Sequence, residues 1–385
     1  MKRRSLDVIL AFAFVAVVIS GFAHTWKQVT TGGHSTVSMS ADGRIICAID
    51  STSRPYISTN SGKSWAIATN TPPWGCYPGG VAISADGTKI IASLSTNTNG
   101  WQHWVFLSTD FGTTWTLMNL PSISGSATTY SVTCSADGEK LVAAAMGGPI
   151  YYSTNSGLYW NTSSTPNMSW SCLASSADGR RMVGAANGGI YFSTNFGANW
   201  TPDNPSPAGA EVCISSDGNC VGITGANTYI SSDGGSHWMT NGFGPASIAC
   251  SADGTDWIVG GPQVYISADG GKTWVTNLSA LPPVLTYGVA ASADFCQLIA
   301  TGPGQGIWSG RAVPSPQLNI QSQDTNVAVS WLLPSTNFVL QQSVDLSNPS
   351  WTEVSANPTL NFTNLNQQVS VPATGSSMFF RLMAQ

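Results

Sequence analysis

Short apolar segments separated by turn residues recur along the whole chain. A segment such as Val81-Ala82-Ile83 precedes each copy of a Ser-Ala-Asp-Gly-type turn, and another, such as Ile90-Ile91-Ala92, follows it. Asp-Gly between two such segments is a strong hairpin signal, because Gly accepts a positive φ and the Asp side chain bonds the turn backbone. The pattern predicts a succession of β-hairpins without long helices.

The turn motif returns at nearly regular intervals. Its Asp stands at positions 42, 86, 137, 178, 217, 253 and 294, with gaps of 44, 51, 41, 39, 36 and 41 residues. A period of about 40 to 45 residues is typical of propeller blades with four strands each. The seventh copy has Phe295 where the others have Gly, so we expect its turn to differ.

A second motif, Ser-x-Asp/Asn-x-Gly-x-x-Trp, occurs six times. Its acidic or amide residues are Asn60, Asp110, Asn155, Asn195, Asp233 and Asp269. The Ser and Asp/Asn oxygens can accept bonds from turn N–H groups, the Gly can adopt the left-handed conformation, and the Trp can pack into a blade. The third position of the motif is a neutral Asn in three copies and a charged Asp in the other three. We therefore interpret the motif as structural, without a calcium-binding or catalytic role.

This second motif is the Asp-box, or BNR repeat. Over roughly residues 26 to 311 the chain resembles the propellers of sialidases, sortilin-type receptors, certain xyloglucan hydrolases and photosystem II assembly factors. The resemblance implies an all-β fold with a seven-bladed β-propeller. The last repeat ends near Trp308 without a box, whereas Trp26 and the residues up to Val29 form an outer strand without a blade. We therefore predict that residues 26–29 pair with residues 306–309 and close the ring.

The chain divides into four segments. Residues 1–23 have a basic start, an apolar run from Val8 to Ile19 and small residues before His24, which predicts a signal peptide, with an uncleaved anchor as the alternative. The propeller is expected over residues 24–311 and a linker over 312–316. Alternating apolar runs over residues 317–385 predict a small Ig- or fibronectin-like β-sandwich, which would serve either in sorting and surface attachment or only in stability.

Charge, histidine spacing and cysteine placement argue against several kinds of ligand. Charged residues make up 9% of the chain and the net charge is −5, so there is no basic field for nucleic acid. The four histidines lack metal-ligand spacing, and we expect neither a metal nor a cofactor. Most of the eight cysteines lie inside apolar strands, which favours free thiols. Cys213 and Cys220 flank one hairpin turn and are predicted to form a disulfide across it.

Candidate binding residues lie in the loops on the face opposite the boxes, which differ from blade to blade. They are Trp74, Tyr77, Trp101, His103, Trp104, Tyr130, Trp170 and Tyr287. Aromatic side chains with few charges around them suit the stacking of sugars or apolar groups. Ordinary packing between loops and blades is the alternative for each of them.

The charged residues available limit the kinds of enzyme that this propeller could be. Sialidases need three arginines on the binding face, and of the mature propeller's five only Arg54 is suitably placed, so the sequence disfavours a sialidase. Another glycosidase would need two carboxylates, for which Asp50, Asp203 and Glu211 are available. We expect an exported monomer, either secreted or at the cell surface or periplasm. We expect it to be a non-catalytic recognition or assembly propeller for a glycan or extracellular protein, with a glycoside hydrolase as the alternative.

Overall fold

The fold is all-β throughout the part of the chain that the structure describes. The computed structural model describes residues 25–50, 54–68, 77–96, 102–121, 130–187, 189–203, 209–244, 247–276, 288–302, 306–311, 318–323, 326–332, 338–344, 350–361, 365–372 and 378–384. The predicted signal peptide and linker lie outside these ranges. Within them, no helix is long and apolar enough to cross a membrane.

Six blades are built from consecutive antiparallel strands, numbered here in chain order after β1 (Thr25–Gln28). They are β2 (His34–Met39), β3 (Ile46–Asp50), β4 (Pro55–Ser58) and β5 (Ala66–Ile67) in blade 1; β6 (Tyr77–Ile83), β7 (Ile90–Thr96), β8 (Gln102–Ser108) and β9 (Thr116–Leu117) in blade 2; β10 (Tyr130–Cys134), β11 (Leu141–Gly148), β12 (Ile150–Ser153) and β13 (Asn161–Thr162) in blade 3; β14 (Met168–Ser175), β15 (Met182–Ala186), β16 (Gly189–Ser193) and β17 (Thr201–Pro202) in blade 4; β18 (Gly209–Ile214), β19 (Val221–Gly225), β20 (Thr228–Ser231) and β21 (Met239–Asn241) in blade 5; β22 (Ser247–Cys250), β23 (Trp257–Gly260), β24 (Val264–Ser267) and β25 (Val275–Thr276) in blade 6.

Blade 7 joins the two ends of the propeller. It consists of β26 (Gly288–Ala291), β27 (Gln297–Gly302), β28 (Gly306–Arg311) and, as its outer strand, β1. Trp26 pairs with Gly310 and Gln28 with Trp308, and the backbone N–H of Val29 donates to the carbonyl of Ile307 at 2.8 Å. The predicted closure of the ring by the N-terminal strand is therefore confirmed.

The first strand of every blade lines the central channel. The seven inner strands, β2, β6, β10, β14, β18, β22 and β26, contact one another in a closed ring. Each runs toward the Ser-Ala-Asp-Gly turn of its own blade, and the third strand runs toward the Asp-box. We call the face with these turns and boxes the turn face. The face where the inner strands begin, and where second strands connect to third strands, is the loop face.

A ring of seven backbone hydrogen bonds closes around the channel at the turn face. The residue after the motif Ser in each blade donates its N–H to the carbonyl of the equivalent residue in the next blade, at 2.7–3.0 Å. The ring runs through Ala41, Ala85, Ala136, Ala177, Ser216, Ala252 and Ala293 and returns to Ala41. The motif thus links each blade to its neighbour as well as forming a hairpin, and its second residue is small because seven such side chains converge.

The seventh turn keeps the geometry of the others, so the expectation that it would differ was wrong. Phe295 has a φ of +62° and donates its N–H to Ser292 at 2.9 Å, as Gly43 does to Ser40. At the equivalent position of blade 6, Gly254 leaves no room for a side chain, because a Cβ there would lie 2.5 Å from the Cys220 sulfur of the preceding blade. The Phe295 side chain instead finds space in a buried cluster with Trp26, which offsets its unfavourable φ.

The C-terminal residues form a sandwich of two sheets. One sheet has the order β29 (Leu318–Gln323), β30 (Asn326–Leu332), β34 (Asn366–Pro372), β33 (Thr359–Asn361), and the other has the order β32 (Thr352–Glu353), β31 (Phe338–Ser343), β35 (Phe379–Ala384). Trp331 and Val369 are central in its core. Leu360 and Leu365, at the tip of the β33–β34 hairpin, pack against the alanine ring of the propeller. The sandwich therefore covers the channel mouth at the turn face.

Candidate functional site

The six Asp-boxes are turns with one shared hydrogen-bond pattern. In the second box the Ser108 hydroxyl accepts the N–H of Gly112 at 2.9 Å, and the Asp110 carboxylate accepts the N–H of Thr114 at 2.8 Å. In four of the six boxes the Trp indole also donates to the box Gly carbonyl, as Trp115 does to Gly112 at 3.0 Å. Asn155 and Asn195 accept the corresponding N–H groups at 3.0 Å through their amide oxygens.

Electrostatics at the boxes follow from these same bonds. The backbone and side chain of Thr114 hold the pKa of Asp110 below its ordinary value. At Asp233 the side chain and backbone of His237 lower the pKa to about 2. The carboxylates are occupied by turn N–H and O–H groups, and three of the six boxes use a neutral Asn in their place. This geometry gives the boxes a structural role in six of the seven blades.

The channel is closed at the turn face and lined by small side chains. A cavity of about 180 Å³ lies directly inside the alanine ring, and Leu365 forms part of its wall. The next layer of its lining includes Met39, Ile83, Cys134 and Cys250. Among the described residues, no charged side chain lines this cavity, and its polar lining consists of Ser hydroxyls and Cys thiols, such as those of Ser175, Ser216 and Cys134.

At the loop face the inner strands of blades 4 and 5 present accessible polar groups. Ser171 on β14 and Ala210 and Glu211 on β18 are exposed, and the Ser171 hydroxyl donates to the Ala210 carbonyl at 2.8 Å. Glu211 is reached by water but enclosed by protein, and this desolvation raises the pKa of its carboxyl to about 7, against a hydrogen bond from the Cys172 thiol that lowers it.

Blades 3 and 4 are joined at this same face. The last residues of β11 extend past their own blade and pair with the start of β14, Met146 with Ser169 and Gly148 with Met168. Met146 is 44% exposed beside this junction. Asn187 adopts a φ of +51°, and its side chain accepts the N–H of Ser169 at 3.1 Å. Sequence reasoning missed Met146, Ser171 and Asn187. The two adjacent glycines after Met146 were the available signal of an irregular strand end.

The predicted aromatic residues divide into three groups. Trp74, Trp101 and Tyr287 lie outside the described residues. Tyr77, His103 and Tyr130 have described backbones, and each stands within the first two residues of a strand that begins at the loop face. Trp104 is half-buried and packs against the core of blade 2.

Trp170 was wrongly assigned to the binding surface. It is 2% exposed, and its ring lies 5.3 Å from the rings of both Tyr191 and Trp200. These three aromatic rings fill the interior of blade 4 together with Met182. The residue is the third of the inner strand β14, and its side chain turns into the blade and away from the channel.

The three candidate carboxylates lie in three different blades, each with its own partner. Asp50, in blade 1, is 6% exposed and forms an ion pair with Arg54 at 3.0 Å. Asp203 follows the outer strand of blade 4 and accepts a hydrogen bond from the Trp238 indole of blade 5 at 3.3 Å. Desolvation raises the pKa of Asp203, against this bond. Only Glu211 stands on an inner strand.

The predicted Cys213–Cys220 disulfide is not formed, and both thiols are free. The β18–β19 register places Gly222 opposite Cys213, so the two cysteines do not face each other across the hairpin. The Cys220 sulfur contacts the Asp253 carbonyl of blade 6 at 3.8 Å. Among the described residues, no group of three or more His, Cys, Asp or Glu side chains is arranged to hold a metal ion.

Comparisons with known proteins agree with this architecture. Residues 265–276 match the family model described as BNR/Asp-box repeat. The structure of YCF48 bound to D1 peptide is similar to the chain with a TM-score of 0.60 at 16% identity, covering 77% of this chain and 98% of that one. YCF48 from Cyanidioschyzon merolae gives a TM-score of 0.56 at 16% identity, covering 74% and 98%.

A glycoside hydrolase has a similar fold. The GH74 xyloglucanase from Xanthomonas campestris gives a TM-score of 0.58 at 15% identity, covering 80% of this chain and 59% of the xyloglucanase. No curated protein sequence matches the chain significantly. At such low identities the likeness concerns the fold. The strand topology and these structures show that the chain is a seven-bladed β-propeller, and one of its six boxes matches the BNR/Asp-box repeat model.

Proposed function

We propose that the chain is an exported, non-catalytic recognition propeller that binds a segment of an extracellular protein at its loop face. The observation that carries this proposal is the difference between the two ends of the channel. The turn face is closed by the alanine ring and by Leu365, whereas Ser171 and Glu211 are accessible near the loop face. A partner that enters the channel mouth must therefore approach from the loop face.

The three candidate carboxylates lie in different blades, which supports a binding function over glycan hydrolysis. A glycosidase of the usual kind needs two carboxyl groups about 5 to 10 Å apart on either side of the scissile bond. Asp50 is held by Arg54, and Asp203 lies at the outer edge of its blade against Trp238. Neither is on an inner strand with Glu211, so Glu211 lacks a catalytic partner among the three carboxylates available.

A protein segment fits the accessible groups better than a neutral sugar. Above pH 7 Glu211 carries a negative charge at the loop face, which favours Lys, Arg or N–H donors of a peptide. Tyr77, His103 and Tyr130 stand near strand ends at the same face, and aromatic residue types are common where proteins recognise apolar peptide groups. The similarity to YCF48, which was solved bound to a peptide, supports the same choice.

A glycoside hydrolase remains the second candidate because of one observation. A carboxyl group with a pKa of about 7 suits a general acid, and Glu211 has that property. The fold similarity to the GH74 xyloglucanase adds to it. In this case Asp50 or Asp203 would have to supply the second carboxylate, because the other loops of the loop face contain no Asp or Glu.

The test is a paired array experiment on the full chain. Peptides tiled from exported proteins and a panel of glycans including xyloglucan oligosaccharides are probed with the wild type, with Glu211→Gln and with the exposed control Glu353→Gln. We expect peptide binding that Glu211→Gln weakens and Glu353→Gln preserves, with no hydrolysis. Release of shortened glycans by the wild type and not by Glu211→Gln would overturn the proposal in favour of the hydrolase.

Export and assembly state follow from the same proposal. Sequencing the N-terminus of the protein recovered outside the cytoplasm should give His24, one residue before β1 begins. Light scattering should give the mass of a monomer. An intact N-terminus in a membrane fraction would instead show an uncleaved anchor.

A further inference from the structure

Three cysteines gather where blades 5 and 6 meet. Cys213 lies on β18, Cys250 on β22, and Cys220 just after the turn of blade 5. All three pack against one buried cluster that contains Ile248 and Trp257. The sulfur atoms of Cys213 and Cys250 are 3.1 Å apart.

The two neighbouring inner strands carry this contact. β18 and β22 belong to different sheets, so no ladder of backbone hydrogen bonds joins them. Both thiols are half-buried, and Cys250 also lines the channel cavity. A disulfide needs the sulfurs about 2.05 Å apart, roughly 1 Å closer than they stand, which small side-chain rotations can supply.

We propose that Cys213 and Cys250 form a disulfide that joins blades 5 and 6 at the wall of the channel. The bond replaces the cross-hairpin pairing that sequence spacing indicated. It is independent of the partner that the loop face binds. An exported chain would meet the oxidising conditions that such a bond requires.

The chemistry is an ordinary exchange with a low-molecular-weight disulfide such as oxidised glutathione. One protein thiol, as its thiolate, attacks the glutathione disulfide and releases one glutathione thiolate. The second protein thiolate attacks the protein sulfur of this mixed disulfide and releases the other. Two protein thiols are oxidised, one disulfide is reduced, and both protons end on the two glutathione thiols.

The surroundings of Cys250 affect the rate. The hydrogen bond with Cys213, followed by burial, raises the pKa of the Cys250 thiol well above its ordinary value. Few thiolates are therefore present at neutral pH, and the exchange should proceed faster at pH 9 than at pH 7.

Cys220 provides a matched control within the same cluster. Its sulfur contacts the Asp253 carbonyl and lies beside Gly254, where it packs under the turn of blade 6. Cys220→Ser should therefore leave the bond intact, whereas Cys213→Ser or Cys250→Ser should abolish it.

The test is a peptide map of the full chain after incubation with oxidised glutathione at pH 9 and alkylation of free thiols. Cleavage before Asp separates the cysteines into residues 203–216, 217–232 and 233–252. We expect one cross-linked species that joins the first and third peptides, with alkylated Cys220. Full alkylation of Cys213 and Cys250, or a link between the first and second peptides, would overturn the proposal.

A second measurement does not depend on how the variants fold during expression. Reductant should lower the melting temperature of the oxidised wild type by about 5 °C or more, because the bond closes a loop of nearly forty residues. The same shift should appear in Cys220→Ser and be absent from Cys213→Ser. An equal response of all three proteins to reductant would contradict the assignment.

Discussion

Trp26 is the residue on which closure of the propeller depends most, and Trp26→Ala tests that dependence. The side chain is 7% exposed and lies over Gly310, where a Cβ would come within about 3 Å of its ring. A buried Trp removes about 150–250 Å² from water. At about 25 cal/mol per Å² this area corresponds to about 4–6 kcal/mol, and buried Trp→Ala changes cost about 3–5 kcal/mol. We expect the free energy of unfolding to fall by about 4 kcal/mol.

The assay is urea unfolding followed by tryptophan fluorescence and far-UV circular dichroism. Val275→Ala is the control, because Val275 stands on the outer strand of blade 6 and is 53% exposed. We expect its effect to stay within about 0.5 kcal/mol. The N-terminus of Trp26→Ala should also become susceptible to proteolysis, because β1 detaches and exposes β28. A loss below about 1 kcal/mol with a protected N-terminus would refute the reasoning, since blade 7 would then hold without β1.

Three further predictions concern the alanine ring, the half-buried Asp256 and the Asp-boxes. Ala136→Leu should lower the free energy of unfolding by about 1–3 kcal/mol, because it crowds the alanine ring under Leu365, whereas Ala66→Leu on an exposed strand should not. Burial, followed by the neighbouring carboxylates, raises the pKa of Asp256 to about 7. Its contribution to stability is therefore fully present below about pH 4 and is lost as the pH rises through about 7. Between about pH 4 and pH 8 the melting temperature of Asp256→Asn should change less than that of the wild type. Asp110→Ala should cost about 1 kcal/mol in the same unfolding assay and leave ligand binding intact, and loss of binding by a folded variant would contradict this.

The fold could be read from the sequence because its determinants are local and repeated. The turn and the box each satisfy their own backbone groups within about eight residues, as Ser108 and Asp110 do, so spacing alone revealed the blades. The closing strand was predictable for the same reason, since Trp26 lacked a blade and the last repeat lacked a box. The backbone ring through the alanines was missed because it depends on contacts between blades.

The candidate site was less predictable because it depends on side-chain direction and on strand register. Trp170 was assigned to the loops of the binding face, but it lies on β14 with its ring directed into blade 4, and the apolar pattern does not settle which way a side chain points near the start of a strand. Cys213 and Cys220 are close in sequence, yet a register set by the turn places Gly222 opposite Cys213. Glu211 was considered only as a catalytic carboxylate, because a linear pattern does not show that it lies beside Ser171 of the neighbouring inner strand. Phe295 shows the reverse case, in which a residue that seemed disruptive to the turn packs into a buried cluster with Trp26.

Hydrogen–deuterium exchange of the full chain, with and without the best ligand from the arrays, tests most directly where the propeller binds. We predict that the ligand protects the amides of residues 168–171 and 209–211, at the start of β14 and β18, and leaves the Asp-box turns unchanged. Protection confined to the Asp-box turns, or to the mouth beneath Leu365, would contradict recognition at the loop face.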